Sequence, residues 1–137
     1  MTRARDIMTP DAECVGENET LEVAARKLRD LDAGSLPICG EDGKLKGMLT
    51  DRDIVVKCIA QGGDPRSVTA GSLGEGKPIT VGADDDVHEA LRTMKSQQVR
   101  RLPVIDGHEM VGIISQADIA RSLPPEEAGK LLVEISE

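Results

Sequence analysis

The stretch GMLTDRDI, residues 47–54, closes an apolar run on Thr50 and sets Asp53 three residues further on. A strand is expected to finish here and a helix to begin, with a hydroxyl and a carboxylate at the junction. The pattern returns in GIISQADI, residues 112–119, where Gly112, Ser115 and Asp118 repeat the spacing of Gly47, Thr50 and Asp53. Upstream, LPICG (36–40) is echoed by LPVID (102–106), and CVGENETL (14–21) by TVGADDDV (80–87). Pro37 and Pro103 stand 66 residues apart but Asp53 and Asp118 only 65, so the second copy lacks one residue in the turn before its glycine. The chain is an internal repeat of about sixty residues used twice.

At 137 residues the chain has the length of about one domain. Each half is too small to bury a convincing core alone, so the two copies are expected to pack together. There is no Phe, Tyr or Trp. The core must come from aliphatic side chains, and no ring is available to stack on a base, which removes the usual platform for single-stranded nucleic acid. A net charge of −8 argues against binding a phosphate backbone. With 39% hydrophobic residues, that charge is too small to imply disorder. MTRARDIMTP has charges but no apolar core of a secretory signal. No run approaches the ~18 apolar residues of a membrane span. A soluble cytoplasmic protein is expected, with neither nucleic acid nor membrane as partner. Three irregularly spaced cysteines form neither a disulfide framework nor a zinc motif. His88 and His108 stand apart, each beside a glutamate, and no metal site is expected from them.

Periodicity supplies the elements. AECVG (12–16) is a short strand, and NETLEVAARKLRDL (18–31) carries apolar residues at helical spacing, with Asn18 as the expected N-cap. LPIC (36–39) and LKGMLT (45–50) are strands around an EDGK turn, and DIVVKCIA (53–60) is a helix stopped by Gly62 and Gly63. The second copy gives a strand PITV (78–81), a helix DVHEALRTMKSQ (86–97), a hairpin of LPVI (102–105) and MVGIIS (110–115) about Asp106-Gly107, and a helix ADIARSL (117–123). The expected divisions are a first repeat at 5–63, a glycine-rich linker at 64–76, a second repeat at 77–123 and a tail at 124–137. The tail is expected to form a last helix with Leu131, Leu132 and Ile135 inward.

This organisation resembles a tandem pair of CBS domains, the module named for cystathionine β-synthase. The lead-in ARDIMT (4–9), the two LP segments and the duplicated Gly-x-x-[Thr/Ser]-x-x-Asp carry the likeness, which spans about residues 5–123. Within that family the LTDRDIV stretch and the two-repeat architecture are most similar to the small stand-alone hypoxic response proteins. The resemblance implies a mixed α/β (α+β) fold of two β-α-β-β-α repeats packed about a pseudo-two-fold axis. It also implies clefts between the repeats that take AMP, ATP or S-adenosylmethionine, with no obligatory cofactor. Asp53 and Asp118 would then accept from ribose hydroxyls, with Thr50 and Ser115 beside the sugar or phosphate. The backbone and apolar side chains of the opening strands, around Cys14–Val15 and Thr80–Val81, would hold the base edge. Arg100 and Arg101 stand where the family often sets phosphate-contacting basic residues; Gly34 and Ser35 take their positions in the first repeat, and Asp51 adds a repelling charge there.

The same motifs are capping boxes with Asp in place of Glu, so local helix stability explains them without a ligand. The two readings are compatible, because a hydroxyl can cap while the carboxylate faces a ligand. Two function classes follow: a regulatory module that senses an adenosine-type ligand or cellular state and acts through a protein partner, and an interaction or dimerisation module with empty clefts. No Ser–His or Cys–His pair or P-loop supports an enzyme. A homodimer is expected from the apolar surplus of Ile54, Val55, Cys58 and Ile59. Finally, a right-handed strand–helix–strand crossover sets Cys14 and Cys39 on adjacent parallel strands, within reach of a disulfide. The ordinary alternative is two buried thiols, and Cys58 is expected to stay free.

Overall fold

Alternating apolar residues on either side of a glycine turn make a hairpin in each copy, with Gly43 (φ 78°) and Gly107 (φ 65°) taking the left-handed turn positions. A computed structural model describes residues 1–10, 12–74 and 78–136, leaving aside the side chains of 131, 132 and 134–136. In chain order the elements are α1 (Ala4–Ile7), β1 (Thr9–Pro10), β2 (Val15–Gly16), α2 (Leu21–Leu31), β3 (Ser35–Cys39) and β4 (Leu45–Thr50). Then come α3 (Asp51–Asp53), a π-helical segment (Ile54–Ile59), α4 (Ala70–Leu73), β5 (Val81–Gly82) and α5 (Val87–Gln97). The chain ends with β6 (Arg101–Asp106), β7 (Glu109–Ser115), α6 (Gln116–Ser122) and α7 (Pro125–Ser136). The fold is mixed α/β, with β-α-β-β-α in each copy. Among the described residues no helix is long and apolar enough to cross a membrane. The inward orientation expected of Leu131, Leu132 and Ile135 lies outside the described residues.

Two compact units divide the chain, residues 13–78 and residues 1–12 with 79–137. In the first, β2 runs parallel to β3 (Val15↔Ile38, Gly16↔Cys39) and β3 antiparallel to β4. Helix α2 closes one face through Leu21, Ala24 and Leu28, which are buried with Val15, Leu36, Ile38, Leu49, Ile54 and Cys58. In the second, the sheet order is β1-β7-β6-β5, and α5 buries Val87, Ala90 and Met94 against Leu102, Val104, Ile114 and Ile119. Both units are aliphatic throughout, as a chain without aromatic rings requires. Helices α2 and α5 end alike, on Asp32 (φ 51°) and Gln98 (φ 53°) in the left-handed region.

The N-cap of α2 is Thr20, not Asn18. Thr20 Oγ1 accepts from the Val23 N–H at 3.3 Å, whereas Asn18 donates to Glu41. The helix therefore starts at Leu21, two residues later than a cap at Asn18 would set it. Thr20→Ala should cost about 1 kcal/mol in urea unfolding, the usual value of a lost cap. Asn18→Ala should leave the midpoint where it is, and a larger loss from Asn18 than from Thr20 would reverse the assignment.

The segment expected as a linker is folded. Within 64–74, Ala70 is fully buried, Thr69 bridges Thr20, and Val68 accepts from the Leu21 N–H; the remainder, 75–76, lies outside the described residues. Its counterpart is the lead-in. Arg3 bridges Asp86 as Thr69 bridges Thr20, and Ala4 is buried as Ala70 is. The Ala4 and Arg5 amides donate to Asp85 and Ala83, as those of Ala70 and Gly71 donate to Glu19 and Glu17. Each lead-in thus packs in the unit formed by the other repeat. The first residues, assigned by chain order to the repeat at 5–63, complete the sheet of the second, where Thr9↔Ile113 and Pro10↔Gly112 pair antiparallel. Gly112 is required there, because a Cβ would stand 2.5 Å from the Thr9 carbonyl oxygen.

Electrostatics favour this exchange. Arg5 pairs with Asp84 (2.8 Å) and Asp106 (3.2 Å), and Arg3 with Asp84 (3.2 Å). The corresponding residues of the first repeat are Asn18 and Gly40, which carry no charge. The Arg5 hydrogen bond, then the Arg5 and Arg3 charges, hold the Asp84 carboxyl below its ordinary range, and the Arg3 backbone N–H does the same for Asp6. A carboxyl depressed in the folded state contributes stability above its unfolded pKa of about 3.9 and loses it as pH falls through the folded value. Amide exchange at Ala4 and Arg5 should therefore be slow at neutral pH and accelerate, relative to the core, below about pH 4. Unchanged relative protection in acid would remove these pairs as the anchor.

Candidate functional site

Each Gly-x-x-[Thr/Ser]-x-x-Asp motif folds as a strand that turns into a helix through a reciprocal cap. The Asp53 N–H donates to Thr50 Oγ1 at 3.0 Å, and the Thr50 N–H donates to Asp53 Oδ2 at 2.9 Å. In the second unit the Asp118 N–H donates to Ser115 Oγ at 3.1 Å, and the Ser115 N–H to Asp118 Oδ2 at 2.9 Å. Capping engages only Oδ2. The other carboxylate oxygen of each aspartate meets a cation from the next turn. Lys57 Nζ lies 3.3 Å from Asp53 Oδ1, and Arg121 Nη2 lies 2.6 Å from Asp118 Oδ1. Asp118, at 11% side-chain exposure, is the more enclosed carboxylate, while Arg121 is 72% exposed.

Strand register brings Arg101 to the same place, directly across from Ser115, and the Arg100 carbonyl accepts from the Gln116 N–H at 2.9 Å. Both arginine side chains are exposed. At the equivalent positions of the first unit Ser35 faces Thr50, and the Asp51 N–H donates to Gly34. The second unit therefore gathers Arg100, Arg101, Ser115, Asp118 and Arg121 around one strand end, and the first gathers Thr50, Asp53 and Lys57. Among the described residues the buried Gln116 Oε1 atom, next to Ser115, has no hydrogen-bond partner. A cavity of about 290 Å³ opens beside Asp118, lined also by Ile7, Arg121 and Ser122.

The opening strands behave differently from expectation. Val15 and Val81 point into their cores, so only the backbone and the flanking Cys14 and Thr80 remain for a base edge. Cys14 is joined to Cys39 in a disulfide, with Cα atoms 6.0 Å apart, as the parallel register of β2 and β3 allows. Lys27 Nζ donates to the Cys14 carbonyl at 2.9 Å, tying that strand end to α2. Cys58 is a free, buried thiol. Lys57, Arg121 and Gln116 were not read from the sequence. A basic residue one turn after each motif aspartate was the available signal, but the two occur at different spacings.

Among the described residues no three His, Cys, Asp or Glu side chains are grouped to hold a metal ion. Residues 4–59 and 71–125 each match the CBS domain. Hypoxic response protein 1 of Mycobacterium tuberculosis is 54% identical over 124 residues, covering 90% of this chain and 87% of that protein. A crystal structure described as hypoxic response protein I with two coordinated zinc ions superposes with TM-score 0.85 at 54% identity, over 90% of this chain and all of that one. A crystal structure of CBSX2 in complex with AMP has the same fold, with TM-score 0.77 at 23% identity over 89% of this chain and 96% of that one.

Proposed function

This chain belongs to the CBS domain family, and we propose that it is a stand-alone regulatory pair that senses an adenosine-type ligand or redox state and signals through a protein partner. The carrying observation is the duplicated motif carboxylate, whose Oδ1 is not consumed by the cap. A carboxylate matches a vicinal diol, since both oxygens accept and both ribose hydroxyls donate. The AMP bound by CBSX2 supports AMP as the first ligand to test, with ATP and S-adenosylmethionine beside it. The zinc ions belong to the hypoxic response protein I structure, and no metal role is assigned to this chain. Signalling is then a coupling free energy between ligand and partner, with no catalytic step.

The test is spectroscopic. With no Trp, Tyr or Phe the protein barely absorbs at 260–280 nm, so a co-purified adenine would dominate its spectrum. A flat spectrum, with no calorimetric heat from AMP, ATP or S-adenosylmethionine, would end the nucleotide reading.

The redox half of the proposal rests on the Cys14–Cys39 pair. In a cytoplasmic setting, which we also propose, thiols are ordinarily kept reduced, so this bond would close on oxidation and open on return to reducing conditions.

The alternative is a ligand-free dimerisation module, favoured by one observation. Ile54 and Cys58 enter the core, but Val55 and Ile59 on the same turns are 57% and 55% exposed. We expect a homodimer that covers them. Sedimentation at micromolar concentration should give twice the 14.6 kDa chain mass, and Val55→Glu should lower it. A monomer mass for the unaltered protein defeats the dimer.

A further inference from the structure

The two motif helices differ in length before their first cation. Asp53 is followed by Ile54-Val55-Val56-Lys57, and Asp118 by Ile119-Ala120-Arg121, so the cation comes at the fourth position in one copy and the third in the other. Both spacings set a helical side chain on the face of the residue it follows. The first copy is moreover π-helical over Ile54–Ile59, with the Ala60 N–H donating to the Val55 carbonyl at 2.8 Å. A π turn takes one residue more than an α turn and is frequent at functional sites. In both copies the cation reaches the same atom, the aspartate Oδ1 that the cap leaves over. The cations themselves are solvated, Lys57 at 44% and Arg121 at 72% side-chain exposure, so each can leave its carboxylate for a better partner at little cost.

We propose that Lys57 and Arg121 are displaceable counter-ions that make each motif carboxylate selective for a nucleotide phosphate ester over a neutral nucleoside or a sulfonium nucleoside. The inference rests on the nucleotide reading above and narrows its ligand class. A ribose diol that donates to the carboxylate competes with the cation for Oδ1, the oxygen that the cap leaves over. A phosphate on the same ribose gives the released guanidinium or ammonium a new anion, bidentate in the case of Arg121. Adenosine offers it nothing, and the positive sulfur of S-adenosylmethionine repels it. The exposed Arg121 side chain is free to make that move, and Ile7 and Ser122 beside it present no competing charge.

The experiment is calorimetric titration with AMP, adenosine and S-adenosylmethionine, on the unaltered protein and on Lys57→Gln, Arg121→Gln and the double variant. Arg100 and Arg101 are kept in all four. The unaltered protein should favour AMP over adenosine by about tenfold or more, the scale of one charge-assisted hydrogen bond. The double variant should bring that ratio near one by weakening AMP while leaving adenosine unchanged or tighter. A merely structural role for the cations would move both ligands together. A ratio that survives in the double variant overturns the proposal and leaves phosphate recognition to Arg100 and Arg101. Binding of none of the three ligands by the unaltered protein ends the nucleotide reading and this inference with it. Thermal midpoints within a degree or so of the parent certify the fold of each variant, since both side chains are exposed.

Discussion

Asp118→Ala should weaken adenine-nucleotide binding by about tenfold or more, the largest loss of any single site residue. The carboxylate is a charged acceptor for the ribose hydroxyls, and such a hydrogen bond is worth ~1.5–3 kcal/mol, or roughly 10- to 150-fold in affinity. The same change also removes the acceptor for the Ser115 N–H, costing about 1 kcal/mol of stability through the cap alone. Asp118→Asn separates the two effects. Asparagine keeps an acceptor oxygen for the Ser115 N–H but lacks the charge, so stability should largely hold while affinity falls. Asp53→Ala should cost less affinity, because Asp51 adds a negative charge beside it and its unit has Gly34 and Ser35 where the other has Arg100 and Arg101. Calorimetry that finds undiminished affinity in Asp118→Asn and Asp118→Ala would leave the motif as a cap and nothing more.

Reduction of Cys14–Cys39 should lower the thermal midpoint by about 10 °C. The bridge closes a loop of sequence separation 25, for which chain entropy gives on the order of 3 kcal/mol, and a small domain loses several degrees per kcal/mol. The loss falls on the unit of residues 13–78, where the bridge clamps β2 to β3 beside the Lys27 contact. A Cys14→Ser/Cys39→Ser variant should match the reduced protein and stop responding to reductant. Cys58→Ala should leave the redox response intact, because Cys58 is a free thiol that takes no part in the bridge. After air oxidation, peptide mapping must find a Cys14–Cys39 crosslink with the loss of two protons. Three alkylatable thiols at that stage, or a midpoint indifferent to reductant, would remove the redox input.

The motifs were legible because their signals are local. Thr50-x-x-Asp53 and Ser115-x-x-Asp118 specify a reciprocal cap within three residues, and both form it. The parallel neighbours of β2 and β3 were legible for a reason of handedness, since only one crossover sense packs a helix back onto its sheet. The N-cap was misplaced by two residues because Asn18 and Thr20 both suit the role. Thr20 takes it through a long-range partner, Thr69, that no local pattern announces. The counter-ions Lys57 and Arg121 escaped notice because they follow their aspartates at the fourth and the third position, so the two copies do not align residue for residue, although either spacing serves on a helix face.

By itself, then, the sequence determined the duplicated β-α-β-β-α unit, its aliphatic core and the two capped carboxylates, all set by residue periods and spacings a few positions long. Only the tertiary structure decided which repeat each lead-in completes. ARDI and AGSL occupy equivalent positions 66 residues apart and offer the same buried alanine to nearly the same sheet. The choice goes to carboxylates far away in the chain. Asp84 and Asp106 give Arg3 and Arg5 their partners in one unit, while Asn18 and Gly40 stand at those positions in the other.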